Sequence, residues 1–97
     1  MWDVIVHKLV LTEDFEKIDP SSERLILKSI HKKLTHDPEN YGSSLSAEYK
    51  GYWKLRVGSY RVIYKIVKDK ILVMVIKAGI RRDDKIYKEL IYRLKKM

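Results

Sequence analysis

The stretch that most constrains the fold of this chain is KGYWKLRVGSYRVIY, Lys50 to Tyr64. Aromatic and β-branched residues flank a Gly-Ser pair, which is the pattern of a β-hairpin closed by a two-residue turn. With Gly58 first and Ser59 second in a type II′ turn, Val57 falls opposite Tyr60, Arg56 opposite Arg61, Leu55 opposite Val62, and Trp53 opposite Tyr64. Side chains alternate between faces along a strand. One face of the hairpin therefore carries Trp53, Leu55, Val57, Tyr60, Val62 and Tyr64, a core surface. The other carries Tyr52, Lys54, Arg56, Arg61 and Lys65, with Ile63 among them. Like charges facing each other across a sheet are destabilising, so this second face makes most sense if an anion such as phosphate occupies it.

Around the hairpin the hydrophobic spacing sets out the rest of an α+β domain. Trp2, Val4 and Val6 alternate with Asp3, Ile5 and His7, which predicts an opening strand to about Lys8. Leu11, Phe15 and Ile18 recur at helical spacing, and Thr12, Glu13 and Asp14 are the residue types that favour a helix start, so a short first helix is expected over Leu11 to Ile18. Asp19-Pro20 reads as an N-cap followed by proline at the first helical position, opening a second helix to about Thr35. Its apolar stripe is Ile26, Leu27, Ile30 and Leu34. Asp37-Pro38 ends it, because the residue before proline is pushed out of the α region. A polar loop follows over Glu39 to Ser46.

After the hairpin, Lys68-Asp69-Lys70 is a polar turn and Ile71 to Ala78 is a nearly apolar run, expected to be a buried third meander strand that Gly79 breaks. Asp83 and Asp84 are candidate caps for a last helix on which Ile86, Leu90 and Leu94 are spaced four apart. The expectation is one domain over residues 1–97: a small antiparallel sheet, two N-terminal helices packed on it and a C-terminal helix, with the long helices on one face. There is no internal repeat, linker or low-complexity segment.

Charge narrows the function. Twenty-one Lys and Arg against thirteen Asp and Glu give a net charge of +8, which suits nucleic acid, an anionic surface or an acidic protein partner. The absence of cysteine rules out a disulfide framework or a thiolate zinc site and points to a reducing compartment, with cytoplasm the default. No apolar run approaches the roughly 20 residues of a membrane span, and the N-terminus lacks the pattern of a signal peptide, so no membrane partner is expected and the mature protein is expected to be the whole chain.

The three histidines, His7, His31 and His36, are not joined by carboxylates at metal-ligand spacing, and no nucleophile elbow, phosphate-binding glycine loop or acidic cluster is present. Neither a metal nor another cofactor is expected. What remains is a basic set: Lys54, Arg56 and Arg61 on the hairpin, Arg81 and Arg82 past the last strand, and Tyr87 on the final helix. Such a set suits RNA cleavage by the 2′-hydroxyl, which requires a base at that hydroxyl, cations for the phosphate oxygens and an acid for the leaving 5′-oxygen. Lys54 is a candidate base, the arginines are candidate phosphate clamps, and Tyr87 could stack on a nucleobase or hold a proton. The same basic face could equally be a solvated surface or the docking site of an acidic segment.

The run from Leu45 to Tyr64, its Lys-Leu-Arg-Val-Gly-x-Tyr-Arg core, and Ala78-Gly79-Ile80-Arg81-Arg82 ahead of Tyr87 resemble the RelE/ParE toxin superfamily of type II toxin-antitoxin systems over essentially the whole chain. The resemblance implies a microbial-ribonuclease-like fold. In the RelE branch it implies metal-independent cleavage of messenger RNA in the ribosomal A site. It assigns Lys54 to proton abstraction or charge stabilisation, Arg61 to the scissile phosphate, Arg81 to the leaving group and Tyr87 to stacking, with Arg56, Tyr52 and Arg82 as further substrate contacts. Tyr52 stands where the best-known ribosome-dependent members have a second lysine, and Ile80 where many relatives have histidine. The implied partners are the ribosome, messenger RNA and a cognate, acidic antitoxin, the toxin being monomeric or part of a toxin-antitoxin hetero-oligomer. The ParE branch instead implies inhibition of DNA gyrase, and a third possibility is a binding module without catalysis.

Overall fold

A computed structural model describes residues 1–80 and 85–97. Arg81, Arg82, Asp83 and Asp84 lie outside the described residues, and with them the two expected helix caps and two of the expected site arginines. Five strands form one sheet: β1 (Asp3–Val6), β2 (Ser43–Ser44), β3 (Tyr52–Val57), β4 (Tyr60–Val67) and β5 (Leu72–Ile80), in the spatial order β1-β5-β4-β3-β2. The helices are α1 (Pro20–Ser29), α2 (Pro38–Tyr41) and α3 (Lys85–Lys96).

The β3-β4 hairpin has the expected register, from Val57 opposite Tyr60 to Trp53 opposite Tyr64. Gly58 has φ +58 while Ser59 does not have a positive φ, which is the asymmetry of a type II′ turn. Leu55, Val57, Val62 and Tyr64 are buried in the main core with Ile26, Ile30 and Leu34 of α1 and the turn that follows it, and Trp53 and Tyr60 pack at its margin. The long second helix begins as its sequence dictates: the Asp19 carboxylate accepts from the Ser22 amide at 3.0 Å, with Pro20 in the first turn. Hydrogen bonding from Ser22 holds the Asp19 carboxyl below the usual carboxylate range. After Ser29 the helix widens into a π turn over Ile30–Leu34.

The expected first helix is a π turn over Val10–Asp14 followed by a 3-10 turn over Phe15–Lys17, and the short α2 and β2 occupy the expected loop over Glu39 to Ser46. Four further features, of the longer strands and of the helix over them, depart from the sequence expectation. β1 pairs parallel to β5, with Asp3 opposite Leu72 and Val6 opposite Val75, so the sheet is mixed, and antiparallel only from β5 to β2. The long helices are not on one face: α3 covers the face opposite α1, where Ile86 and Leu90 bury Ile63 and Ile76. That face needed an apolar cover because Ile63, seated among the cations, is fully buried. Gly79 does not break the last strand, which continues to Ile80; a glycine without positive φ is compatible with extended backbone. Finally, β5 contains a bulge, since Ile63 pairs with Lys77 but Tyr64 pairs with Val75. The extra residue, Ile76, joins the cluster under α3.

A close approach ties the loop before β2 to the sheet. Tyr64 is fully buried, its hydroxyl donates to the Pro38 carbonyl at 2.6 Å, and burial pushes that hydroxyl's pKa well up, so it remains a donor. A Cβ on Gly42 would lie 1.7 Å from the Tyr64 hydroxyl oxygen and 2.8 Å from the Lys54 carbonyl. Neither neighbour has room to retreat. Gly42→Ala is therefore expected to lower stability by about 1–3 kcal/mol, the usual range for overpacking, seen as a lower urea midpoint with unchanged slope.

Candidate functional site

Lys54 and Tyr87 come from a central strand and from the first turn of α3, and the fold brings them to one cavity of about 450 Å³. Among the described residues it is lined by Ser44, Leu45, Ser46, Tyr49, Lys54, Tyr87 and Lys88. Local geometry explains the placement. Lys54 lies opposite both Ser43 on β2 and Ile63 on β4, so its side chain shares the face that α3 covers, just beyond the apolar cluster. Ile86 enters that cluster as a buried anchor, which turns the next residues, Tyr87 and Lys88, toward the rim. The Tyr87 ring is tilted against that of Tyr49, with centroids 5.7 Å apart.

The cavity thus presents two ammonium groups, serine hydroxyls and a pair of aromatic rings. Cations beside aromatic faces are what a single strand of RNA requires, with phosphates drawn to the former and bases stacking on the latter.

The other expected site residues are distributed differently. Arg56 is exposed on β3. Arg61 is 4% exposed, and its Nη1 donates to the carbonyls of Tyr60 at 2.9 Å and Gly58 at 3.4 Å. The pair Arg56 and Arg61 is in register, but it is not an open row of charges, because one of its two members is buried. Tyr52 is half-buried and packs against the apolar cluster under α3, together with Tyr49, Tyr87 and Leu94. Arg81 and Arg82 lie outside the described residues. Among the histidines, His7 Nδ1 accepts from the Leu9 amide and His36 contacts the Thr35 hydroxyl. Among the described residues no three His, Asp or Glu side chains converge as a metal-ligand set.

Sequence reasoning missed Tyr49, Lys88 and the two serines of the cavity, which carry no local signal. It also missed a buried charge network at the other end of α3. Asp14, expected as a helix-start residue, is 4% exposed and accepts four hydrogen bonds: from Lys77 Nζ at 2.9 Å, the Ala78 amide at 2.9 Å, Arg93 Nη1 at 3.0 Å and Arg93 Nη2 at 2.7 Å. Lys77 also pairs with Glu89 at 3.1 Å, and Arg93 with Glu13 at 3.3 Å. Burial works against the charge on Arg93, but its bonds to Asp14 and the nearby carboxylates outweigh this and raise its pKa. Glu13 is held low chiefly by its bond to Lys96. The one sequence signal was Lys77 itself: a lysine inside an apolar strand must find a buried counter-charge. A second cavity, of about 360 Å³, opens beside this network, and among the described residues its lining includes none of the expected site residues.

This five-stranded α+β arrangement is similar to that of solved toxin structures. One match is the toxin-antitoxin complex RelBE2 of Mycobacterium tuberculosis, at TM-score 0.77 and 22% identity over 82% of this chain and 98% of that one. Another is the isolated Escherichia coli RelE toxin, at TM-score 0.67 and 17% identity over 97% of this chain and 99% of that one. A third is the archaeal RelE-RelB complex of Pyrococcus horikoshii, at TM-score 0.64 and 20% identity over 84% and 97%. These likenesses define the class as a RelE-like fold. The sequence model described as "ParE toxin of type II toxin-antitoxin system, parDE" matches residues 4–85, and the chain belongs to that toxin family. No curated protein matches it by sequence.

Proposed function

We propose that this toxin is a metal-independent endoribonuclease that cleaves messenger RNA in the ribosomal A site and is restrained by a cognate antitoxin. The observation that carries the reading is the cavity shared by Lys54, Lys88, Tyr49 and Tyr87. In the proposed reaction the 2′-hydroxyl of one nucleotide attacks the adjacent phosphorus, its proton passes to a base, the bond to the 5′-oxygen breaks, and that oxygen takes a proton. A 2′,3′-cyclic phosphate and a 5′-hydroxyl end result.

Lys54 is the proposed base or charge stabiliser, and Tyr87 stacks on a nucleobase beside Tyr49. Arg61 contributes its charge from beneath the turn, which needs no direct contact to favour the anionic transition state. Arg81 is assigned to the leaving group, with Arg56 and Arg82 as outer phosphate contacts. Arginine, which stays protonated throughout the physiological range, serves there as a cation in preference to a proton donor. The solved complexes of similar toxins with antitoxins and the net charge of +8 support a protein partner of acidic character.

Induced expression is expected to arrest translation and leave transcripts cut within codons, and Tyr87→Ala is expected to relieve the arrest. Arrest with transcripts intact would overturn the reading. The match to the ParE family favours a second reading, a toxin directed at DNA gyrase. It predicts DNA damage and filamentation while translation initially continues.

A further inference from the structure

The buried network at Asp14 joins α3 to the backbone of β5. The buried stripe of α3 is Ile86, Leu90 and Arg93, so a guanidinium occupies the third position of an otherwise apolar seam. Apolar contacts are non-directional and tolerate small rotations or slides of a helix. Arg93 permits neither, because its Nη1 donates to both Asp14 Oδ2 and the Ile76 carbonyl at 3.0 Å, while Nη2 reaches Asp14 Oδ1 at 2.7 Å. Asp14 is itself fixed by the Ala78 amide. The pairing of β1 with β5 extends only to Val75, apart from the His7 amide on the Val75 carbonyl. Asp14 and Arg93 then take over that edge of β5, supplying an acceptor to Ala78 and a donor to Ile76. The helix is thereby referenced to the backbone of the strand, at fixed rotation and height.

We infer that the Arg93-Asp14 pair is a register pin for α3, and that it positions Tyr87 and Lys88 opposite Lys54 across the cavity. Neither pin residue lines that cavity; both are positioning residues. Buried polar groups that specify register at some cost in stability are a known device in helical packing. The activity part of the inference rests on the ribonuclease reading, whereas the structural part does not.

The test is Arg93→Met in the full chain, which removes the pin but leaves Asp14 bonded to Lys77 and the Ala78 amide. The variant is expected to remain folded with α3 helical, while the nuclear Overhauser contacts between the Tyr49 and Tyr87 rings are lost and the Tyr87 resonances average. Cleavage kcat is expected to fall about 100-fold, the scale of a misplacement near 1 Å, with KM changing far less. Unchanged Tyr49-Tyr87 contacts in the folded variant would overturn the pin. If wild-type protein cuts no RNA, the ribonuclease reading fails and the ring contacts still decide the pin. Should Arg93→Met not fold, Arg93→Lys keeps the charge beside Asp14 without the planar fork and is read by the same contacts.

Discussion

Asp14→Ala is expected to lower the unfolding free energy by about 3–5 kcal/mol, the cost of breaking a buried ion pair from one side. Asp14 is the common acceptor for Lys77, Arg93 and the Ala78 amide. Its removal leaves the amide without a partner inside the protein and strips two buried cations of their shared counter-charge. Lys77 retains Glu89, and Arg93 retains Glu13 and the Ile76 carbonyl, but Glu13 and Glu89 are partly solvated and compensate weakly. Against the roughly 5–15 kcal/mol typical of a whole domain, such a loss is large. Asp14→Asn retains the shape but directs an amide NH₂ at groups that are already donors, so most of the loss is expected to remain. Urea denaturation measures it, and a change below about 1 kcal/mol, the level of an exposed pair, would mean that the network is far less important than its burial indicates.

Lys54→Met is expected to reduce RNA cleavage by about 100- to 10,000-fold, the range over which general acid-base groups act, while leaving stability nearly unchanged. Lys54 is half-buried at the cavity rim and forms no ion pair among those present in the described residues. Its strand is held independently by pairing with β2 and β4. The charge-conserving Lys54→Arg separates the roles. If Lys54 only attracts phosphate, arginine substitutes for it and cleavage is retained. If it takes the 2′-hydroxyl proton, arginine cannot, and binding survives while the chemical step is lost. Single-turnover kinetics with separately measured RNA affinity distinguishes these outcomes.

The hairpin was legible residue by residue because its information is local: Gly58 selects the turn, the turn selects the register, and the register sorts the faces. The N-cap at Asp19 was legible for the same reason. The parallel pairing of β1 with β5 was not, since a strand's sequence does not state its partner's direction. Nor was the bulge at Ile76. Ile63 carries a local signal of the cover over its face: a fully apolar β-branched residue on the basic face requires something apolar over it, and α3 provides it. The burial of Arg61, with its guanidinium bonded to the Tyr60 and Gly58 carbonyls, was beyond what hairpin register predicts. The cavity was half legible. Lys54 and Tyr87 were singled out as candidate site residues, but Tyr49 and Lys88 join them in the cavity only through the docking of α3. Asp14, Lys77 and Arg93 lie far apart along the chain, and nothing in their separate neighbourhoods announces that they meet.

RNA cleavage at the Lys54-Tyr87 cavity is decided with purified toxin, ribosomes paused on a defined message and mapping of new 5′-hydroxyl ends. Cuts confined to the A-site codon, present with wild-type protein and absent with Lys54→Met, are the predicted result. An intact message, with DNA gyrase inhibited by the same preparation, would contradict it.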